Sequence, residues 1–229
     1  FLFLPVFVFI VPVLLVVLQP DLGTSLLISA GGLVVAWLAG VRVKFFVYSM
    51  LIFIALLPIA ISFLKPYQKS RILTFLNPER DPLGAGYQII QSKIAIGSGG
   101  LFGKGFLNGS QSYLDYLPEK HTDFIYTLFS EEFGFFGSFF ILLLYALIIY
   151  RIIRIGGLTR SNFGKLYCYG FATAFFIYVV VNMMMVLGLL PIVGSPLPIM
   201  SYGGSSMMAI MLGLGIVMSC KIYKDVPVN

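Results

Sequence analysis

The sequence predicts an all-α, polytopic membrane protein with about six transmembrane helices and one long extracytoplasmic loop. Three observations carry that expectation. Only 10% of the residues are charged, against about 25% in soluble domains. Mean hydropathy is +0.98. Several apolar runs approach the roughly 20 residues that a helix needs to cross a bilayer. The runs are continuous and do not alternate, which excludes a transmembrane β-barrel. The net charge of +6 and pI near 9.3 would suggest nucleic acid in a soluble chain. Here the bias of cytoplasmic loops toward Lys and Arg explains them, and no nucleic-acid partner is expected.

The expected spans are residues 1–18, 22–39, 45–64, 124–153, 167–189 and 206–222. Pro5 and Pro12 interrupt the first run, and Pro is tolerated in membrane helices. The fourth is long: thirty residues of helix reach about 45 Å, so its first turns are expected to project from the hydrocarbon core. Residues 65–122 form the loop within a single membrane domain covering 1–229. Helix-like pieces are expected at 70–76 and 87–95. One set of connections holds Arg42, Lys44, Arg151, Arg154, Arg160, Lys165, Lys221 and Lys224 against the single acid Asp225. The positive-inside rule makes that side cytoplasmic, with the C-terminus inside and the long loop outside. The chain begins FLFLP without Met and without a basic n-region. A signal peptide is not indicated, and the chain reads as a piece of a larger protein. Cys168 and Cys220 make no metal or disulfide pattern and read as buried apolar thiols.

Polar residues are scarce enough to be read one by one. Asp21, in LQPDLGTS with a turn marked by Pro20 and Gly23, is either a helix N-cap or a wall of an outward-facing polar cavity. GSGGLFGKG, residues 97–105, lacks the Walker spacing. Its backbone N–H groups with Lys104 could cradle a pyrophosphate, or form a re-entrant turn. Lys93, in a short amphipathic helix, is a candidate anion contact or a snorkelling cation.

The stretch LPEKHTDFIYTLFSEEFG runs from a polar cluster into an apolar span. Thr122 or Asp123 is placed to cap the helix. If the helix runs on, Asp123, Thr127, Ser130 and Glu131 share one face, which Gly134 continues, permitting close helix contact. Such a stripe must face protein or a wet cavity, and an ionisable residue in it is a functional hypothesis by default. His121 with Glu119 and Asp123 is a weak metal signal. No tightly bound cofactor is expected; a transient Mg²⁺ or Mn²⁺ shared with a phosphorylated substrate is the stronger metal expectation. A carboxylate at an outer cavity mouth beside cations can serve as general base on a sugar hydroxyl while the cations hold a phosphate leaving group. Finally, GLLPIVGSPLPIMSYGGSS, residues 188–206, reads as a re-entrant segment packed in protein or lining a cavity, or as a tight turn. Ser201, Tyr202, Ser205 and Ser206 would give that cavity polar walls. The candidate substrate-binding residues are Lys93, Lys104, Asp21, Glu131, Ser201 and Ser205, and the candidate catalytic residue is Asp123.

QPDLGTS, NPERDPLGAGYQIIQSKIAIGSGG, LPEKHTDFIYTLFSEEFG and PLPIMSYGGSS occur in that order along nearly the whole chain. In these stretches the sequence resembles the RodA/FtsW family of bacterial shape, elongation, division and sporulation proteins. DPLGAGY and QSKIAIGSGG resemble the elongation branch more than the division branch. The resemblance implies a fold of about ten transmembrane helices, of which this chain would be the C-terminal six. It implies a multi-pass protein of the bacterial inner membrane that polymerises lipid II into glycan strands for cell elongation and rod shape. It implies that Asp123 deprotonates the acceptor 4-hydroxyl, with undecaprenyl pyrophosphate leaving and inversion at the anomeric carbon. The implied partner is a class B penicillin-binding protein. A lipid II flippase and a scaffold recruiting the transpeptidase are the alternative readings. The N-terminal helices contribute to the family's substrate groove, so this piece alone is expected to be inactive.

Overall fold

The computed structural model describes residues 3–19, 21–63, 65–82, 84–109 and 121–225. The predicted turn residue Pro20 and the predicted metal neighbour Glu119 lie outside them. Among the described residues the fold is helical, with no strand. The elements are α1 (Phe3–Leu18), α2 (Leu22–Leu38), α3 (Val43–Phe63), α4 (Pro66–Leu76), a 3₁₀ turn at Pro78–Arg80, α5 (Ala85–Gly99), α6 (Ile125–Leu158), α7 (Asn162–Val186) and α8 (Gly204–Ile222).

Each of the six apolar runs is helical. Three helices, α6, α7 and α8, are long and apolar enough to cross a membrane. The apolar stretches of the others, Phe7–Leu18, Gly23–Leu38 and Val43–Leu56, are shorter. The two loop helices are also present, each longer than expected. Pro66 opens α4 at a position where its missing N–H costs nothing. Asp81 Oδ2 accepts the N–H of Ala85 at 2.9 Å and so ties the 3₁₀ turn to the start of α5. The expected boundary between the fourth and fifth spans is shifted. Helix α6 runs on to Leu158, and α7 begins at Asn162, capped by Ser161. Arg151 and Arg154 therefore lie on the helix and not in the loop, since long basic side chains reach polar surroundings from a helix without ending it.

Helices α6 and α7 form the centre, with α2 and α5 packed on α7 and α6 respectively, and α1 on α2. Their core joins Phe124, Tyr145, Phe175, Val179, Met185 and Val186 to Leu197 from the irregular segment after α7. Small residues set the close approaches: a Cβ on Gly170 would lie 2.7 Å from Val35 Cγ2. In contrast, α3 presents Phe45, Tyr48, Met50, Leu51, Ile52 and Phe53 outward, which suits a lipid-facing helix.

Helix α6 is not the uninterrupted rod that the sequence suggested. It breaks at Gly134, whose backbone (φ 64°, ψ −160°) is open essentially only to glycine. In a continuous helix the N–H groups of Phe135 and Phe136 would bond the carbonyls of Glu131 and Glu132. Here the turn after α5 takes both sides of that ladder. Lys104 N–H and Gly105 N–H donate to the carbonyls of Glu131 and Glu132, each at 3.0 Å. Phe135 and Phe136 donate to Gly100 (2.9 Å) and Leu101 (3.2 Å). The four backbone groups that the break frees are thus all paired, as membrane burial requires. The glycines of GSGGLFGKG are explained by this contact. A Cβ on Gly103 would lie 2.5 Å from the carbonyl carbon of Glu132, and one on Gly99 would strike Ser130 O.

Gly134→Ala places a Cβ 2.8 Å from the Leu101 carbonyl and forces a strained φ. It is expected to cost about 2 kcal/mol or more, read as a lower thermal midpoint in detergent. Gly215→Ala, where nothing lies within 4 Å, is expected to cause no loss.

Candidate functional site

The residues before α6 are held from outside the helix. His121, Thr122 and Asp123 form a turn, and the N-cap position falls on Phe124 with no side-chain cap. Neither Thr122 nor Asp123, the two predicted caps, occupies the N-cap position. Instead, their three successive carbonyl oxygens each receive a hydrogen bond from distant sequence. Tyr202 N–H donates to His121 O at 2.9 Å. Ser201 Oγ–H donates to Thr122 O at 2.6 Å. Asn182 Nδ2–H donates to Asp123 O at 2.8 Å. The same Asn182 amide donates to Ser195 O at 2.7 Å. The half-buried Asp123 carboxylate lies beside Gly194, where a Cβ would come within 3.5 Å of Oδ2.

The 187–203 segment is irregular and packed in protein, in line with the first of the two sequence readings, and several of its carbonyls are bonded from elsewhere in the fold. Tyr145 donates its phenol to Pro198 O at 2.6 Å. Arg71 of α4 reaches Ile192 O at 3.3 Å. Ile199 takes a positive φ of 69°, unusual for a β-branched residue, within the stretch that the clamp holds. Two cavities flank it. One of about 560 Å³ is lined by His121, Ile125, Tyr202 and Met207. The other, about 300 Å³ and mostly apolar, is lined by Thr24, Tyr178, Ser195, Pro198, Ser206 and Ile210.

The other candidates divide. Asp21 caps α2, accepting Thr24 N–H at 3.1 Å and the Thr24 hydroxyl at 2.6 Å. The neighbouring Gly23 packs against Val193, so the start of α2 abuts the segment that touches Asp123. Lys93 is exposed, and its side chain crosses Gly188 at the end of α7. Its neighbour Ser92 is fully buried, bonds Val186 O at 2.7 Å and lies 2.9 Å from Thr127 Oγ1. That places Lys93 at the α5–α6–α7 junction, next in sequence to the residue that meets Thr127. Ser205 is exposed on the first turn of α8.

Three predicted positions have structural work. Ser201, 4% exposed, accepts Leu197 N–H at 2.7 Å while donating to Thr122, so its hydroxyl belongs to the clamp, and the residue also lines the cavity of about 560 Å³. Glu131, 0% exposed, pairs with Lys104 at 2.7 Å, with the lysine side chain 29% exposed. The amides of Lys104 and Gly105 are bonded to α6, which removes them from a pyrophosphate cradle. The predicted polar stripe is real, but it faces protein: Thr127, Ser130 and Glu131 are buried against α5 and the turn after it.

Asn182 was missed. An Asn within the apolar run VVVNMMM is itself a signal, because a polar residue inside a membrane helix faces the bundle interior. Its Oδ1 and Ser195 Oγ are buried and lack partners among the described residues. Also among these residues, no three His, Cys, Asp or Glu side chains cluster to hold a metal. His121 and Asp123 therefore do not make a resident metal centre with the described side chains.

The fold and site define a helical, multi-pass membrane protein with an acid clamped at the start of a spanning helix. The family model for the FtsW/RodA/SpoVE cell cycle proteins matches residues 1–225, and the chain belongs to that family. It is 49% identical over 214 residues to the peptidoglycan glycosyltransferase MrdB of Escherichia coli K12, covering 93% of this chain and 58% of MrdB. It is 40% identical to the stage V sporulation protein E of Bacillus subtilis, covering 92% of this chain and 57% of that protein. The chain thus spans little more than half the length of these relatives. Among solved structures, a peptidoglycan synthase complex that coordinates polymerization and crosslinking matches with TM-score 0.75 and 37% identity, over 98% of this chain and 62% of the other. The rod shape determining protein RodA of Thermus thermophilus matches with TM-score 0.63 and 26% identity, over 97% and 56%.

Lys104→Met removes the cation that lies 2.7 Å from the buried Glu131. It is expected to cost about 2–3 kcal/mol, measured by thermal unfolding in detergent. Lys104→Met with Glu131→Leu is expected to recover most of that loss, because no buried charge remains.

Proposed function

We propose that this chain is the C-terminal catalytic part of a peptidoglycan glycosyltransferase that polymerises lipid II for cell elongation. The observation that carries the reading is the clamp on residues 121–123, which holds a half-buried carboxylate beside the Gly194 segment, with His121 of the same turn lining a cavity of about 560 Å³. The similarity to MrdB supports the reaction class, and the likeness to a synthase complex supports a class B penicillin-binding protein as partner. In this reading the long loop lies on the outer face and the C-terminus in the cytoplasm, so Asp123 meets lipid-linked sugars where their headgroups emerge.

Asp123 takes the proton from the acceptor 4-hydroxyl as its oxygen forms a bond to the donor anomeric carbon. The bond from that carbon to the pyrophosphate oxygen breaks on the opposite face, which gives inversion. The leaving undecaprenyl pyrophosphate carries the electron pair and negative charge away. Lys93, exposed at the helix junction, is the candidate cation for that charge in this reading. Lys104 and Glu131 act on the scaffold. A divalent ion such as Mg²⁺ or Mn²⁺ would arrive with the pyrophosphate as part of the substrate.

The test is glycan-strand formation from lipid II by the intact protein with its partner, resolved on a gel. Asp123→Asn keeps shape and removes the base, and is expected to lower the rate at least about a hundredfold with insertion and partner binding intact. Unchanged polymer would remove Asp123 from the reaction. Absence of polymer from the wild type, with lipid II crossing the bilayer, would favour transport instead.

A further inference from the structure

We propose that Asn182 is a positioning residue for this reaction, which rests on the reading of Asp123 as base. Asn182 is 0% exposed and lies inside α7, so it acts through other residues and not on substrate. Its amide donates to the peptide carbonyl of Asp123 itself (2.8 Å), and it also grips Ser195 O (2.7 Å). Asp123 precedes α6. The first bond of that helix at this end, Thr127 N–H to Phe124 O at 2.9 Å, does not include it. The other two clamp bonds act on neighbouring peptides. Tyr202 gives only its backbone N–H to His121, a donor almost any side chain would leave in place. Ser201 reaches Thr122.

The orientation of the amide follows from chemistry. Both of its contacts are carbonyl oxygens, which accept only, so the NH₂ group must face them. No donor among the described residues meets Oδ1; what holds the amide is the pair of carbonyls. Asn182 thereby fixes the distance between the peptide of Asp123 and the Gly194–Ser195 segment that lies against the Asp123 carboxylate. A general base needs its oxygen within hydrogen-bond reach of the acceptor hydroxyl, and a misplacement of about 1 Å can cost about a hundredfold in rate.

The experiment measures kcat and KM for lipid II with the intact protein and its partner, normalised to folded complex by size-exclusion chromatography. Asn182→Asp keeps the shape and turns a donor into an acceptor; Asn182→Ala removes the side chain. Both are expected to lower kcat about tenfold to a hundredfold, with KM within about twofold. Wild-type kcat in either variant overturns the proposal. A raised KM with unchanged kcat also does, since it would make Asn182 a binding residue. If neither variant assembles, Asn182 is a folding residue and the positioning role falls. Asp123→Asn runs alongside. An active Asp123→Asn protein sinks the base itself, whereas an inactive one beside unchanged Asn182 variants sinks only the positioning role.

Discussion

Three consecutive carbonyl oxygens, those of His121, Thr122 and Asp123, are held by hydrogen bonds from residues 182 to 202, and the site depends on that clamp. The turn that carries Asp123 comes before its helix, so the regular bonds of α6 do not place it. A lone carboxylate on an unanchored turn would sample many positions, and in the proposed reaction ordering it would cost conformational entropy. The clamp supplies that order in advance. It also accounts for the length and irregularity of the 187–203 segment, which must bring a backbone N–H, a hydroxyl and a stretch of free carbonyls to one place. An uninterrupted helix there would have its own carbonyls and N–H groups bonded internally, with none left to make these contacts.

A second constraint acts along α6. The turn after α5 replaces two intrahelical bonds with four bonds to another strand of chain at Gly134. The first part of α6, which follows Asp123, is thereby fastened to the long loop as well as to its own continuation. Ser92 and Thr127 add a buried side-chain contact one turn from Asp123, and Lys104 with Glu131 adds a charged one. The acid in the SEEFG stretch is thus part of the scaffold. Its role is to anchor the loop, since a buried carboxylate with a cation at 2.7 Å is held in place by the cost of separating the pair. The loop and the site are consequently one mechanical unit, and a partner acting on the loop would act on the helix that follows Asp123.

Much of this was legible in the sequence. The long apolar runs give the helices because a bilayer leaves the backbone no other partner, and the six runs are helical in the structure. The two loop helices were visible in the aromatic and aliphatic residues that interrupt the polar loop. The burial of the stripe through Thr127, Ser130 and Glu131 was also readable from its spacing. Asp123 stood out because an acid, the only histidine and an apolar span meet there. The motif resemblance, spread in order along the chain, pointed to the family that the chain belongs to.

By itself, the sequence determined the class of protein, the helices and the identity of the acid at the start of α6. These follow from local composition and period, which each segment carries alone. Tertiary structure decided what the polar residues do. Ser201, read as a cavity wall, lines a cavity and is also a clamp; Lys104 and its glycines, read as an anion cradle or a re-entrant turn, are a clasp on α6; Asn182 drew no attention and grips the peptide of Asp123. The physical reason is that a hydroxyl, an amide or a glycine has the same local signature in either role. Its task is set by the partner across the fold, 59 residues away for Asn182 and 79 for Ser201, and that partner is named only when the chain closes on itself.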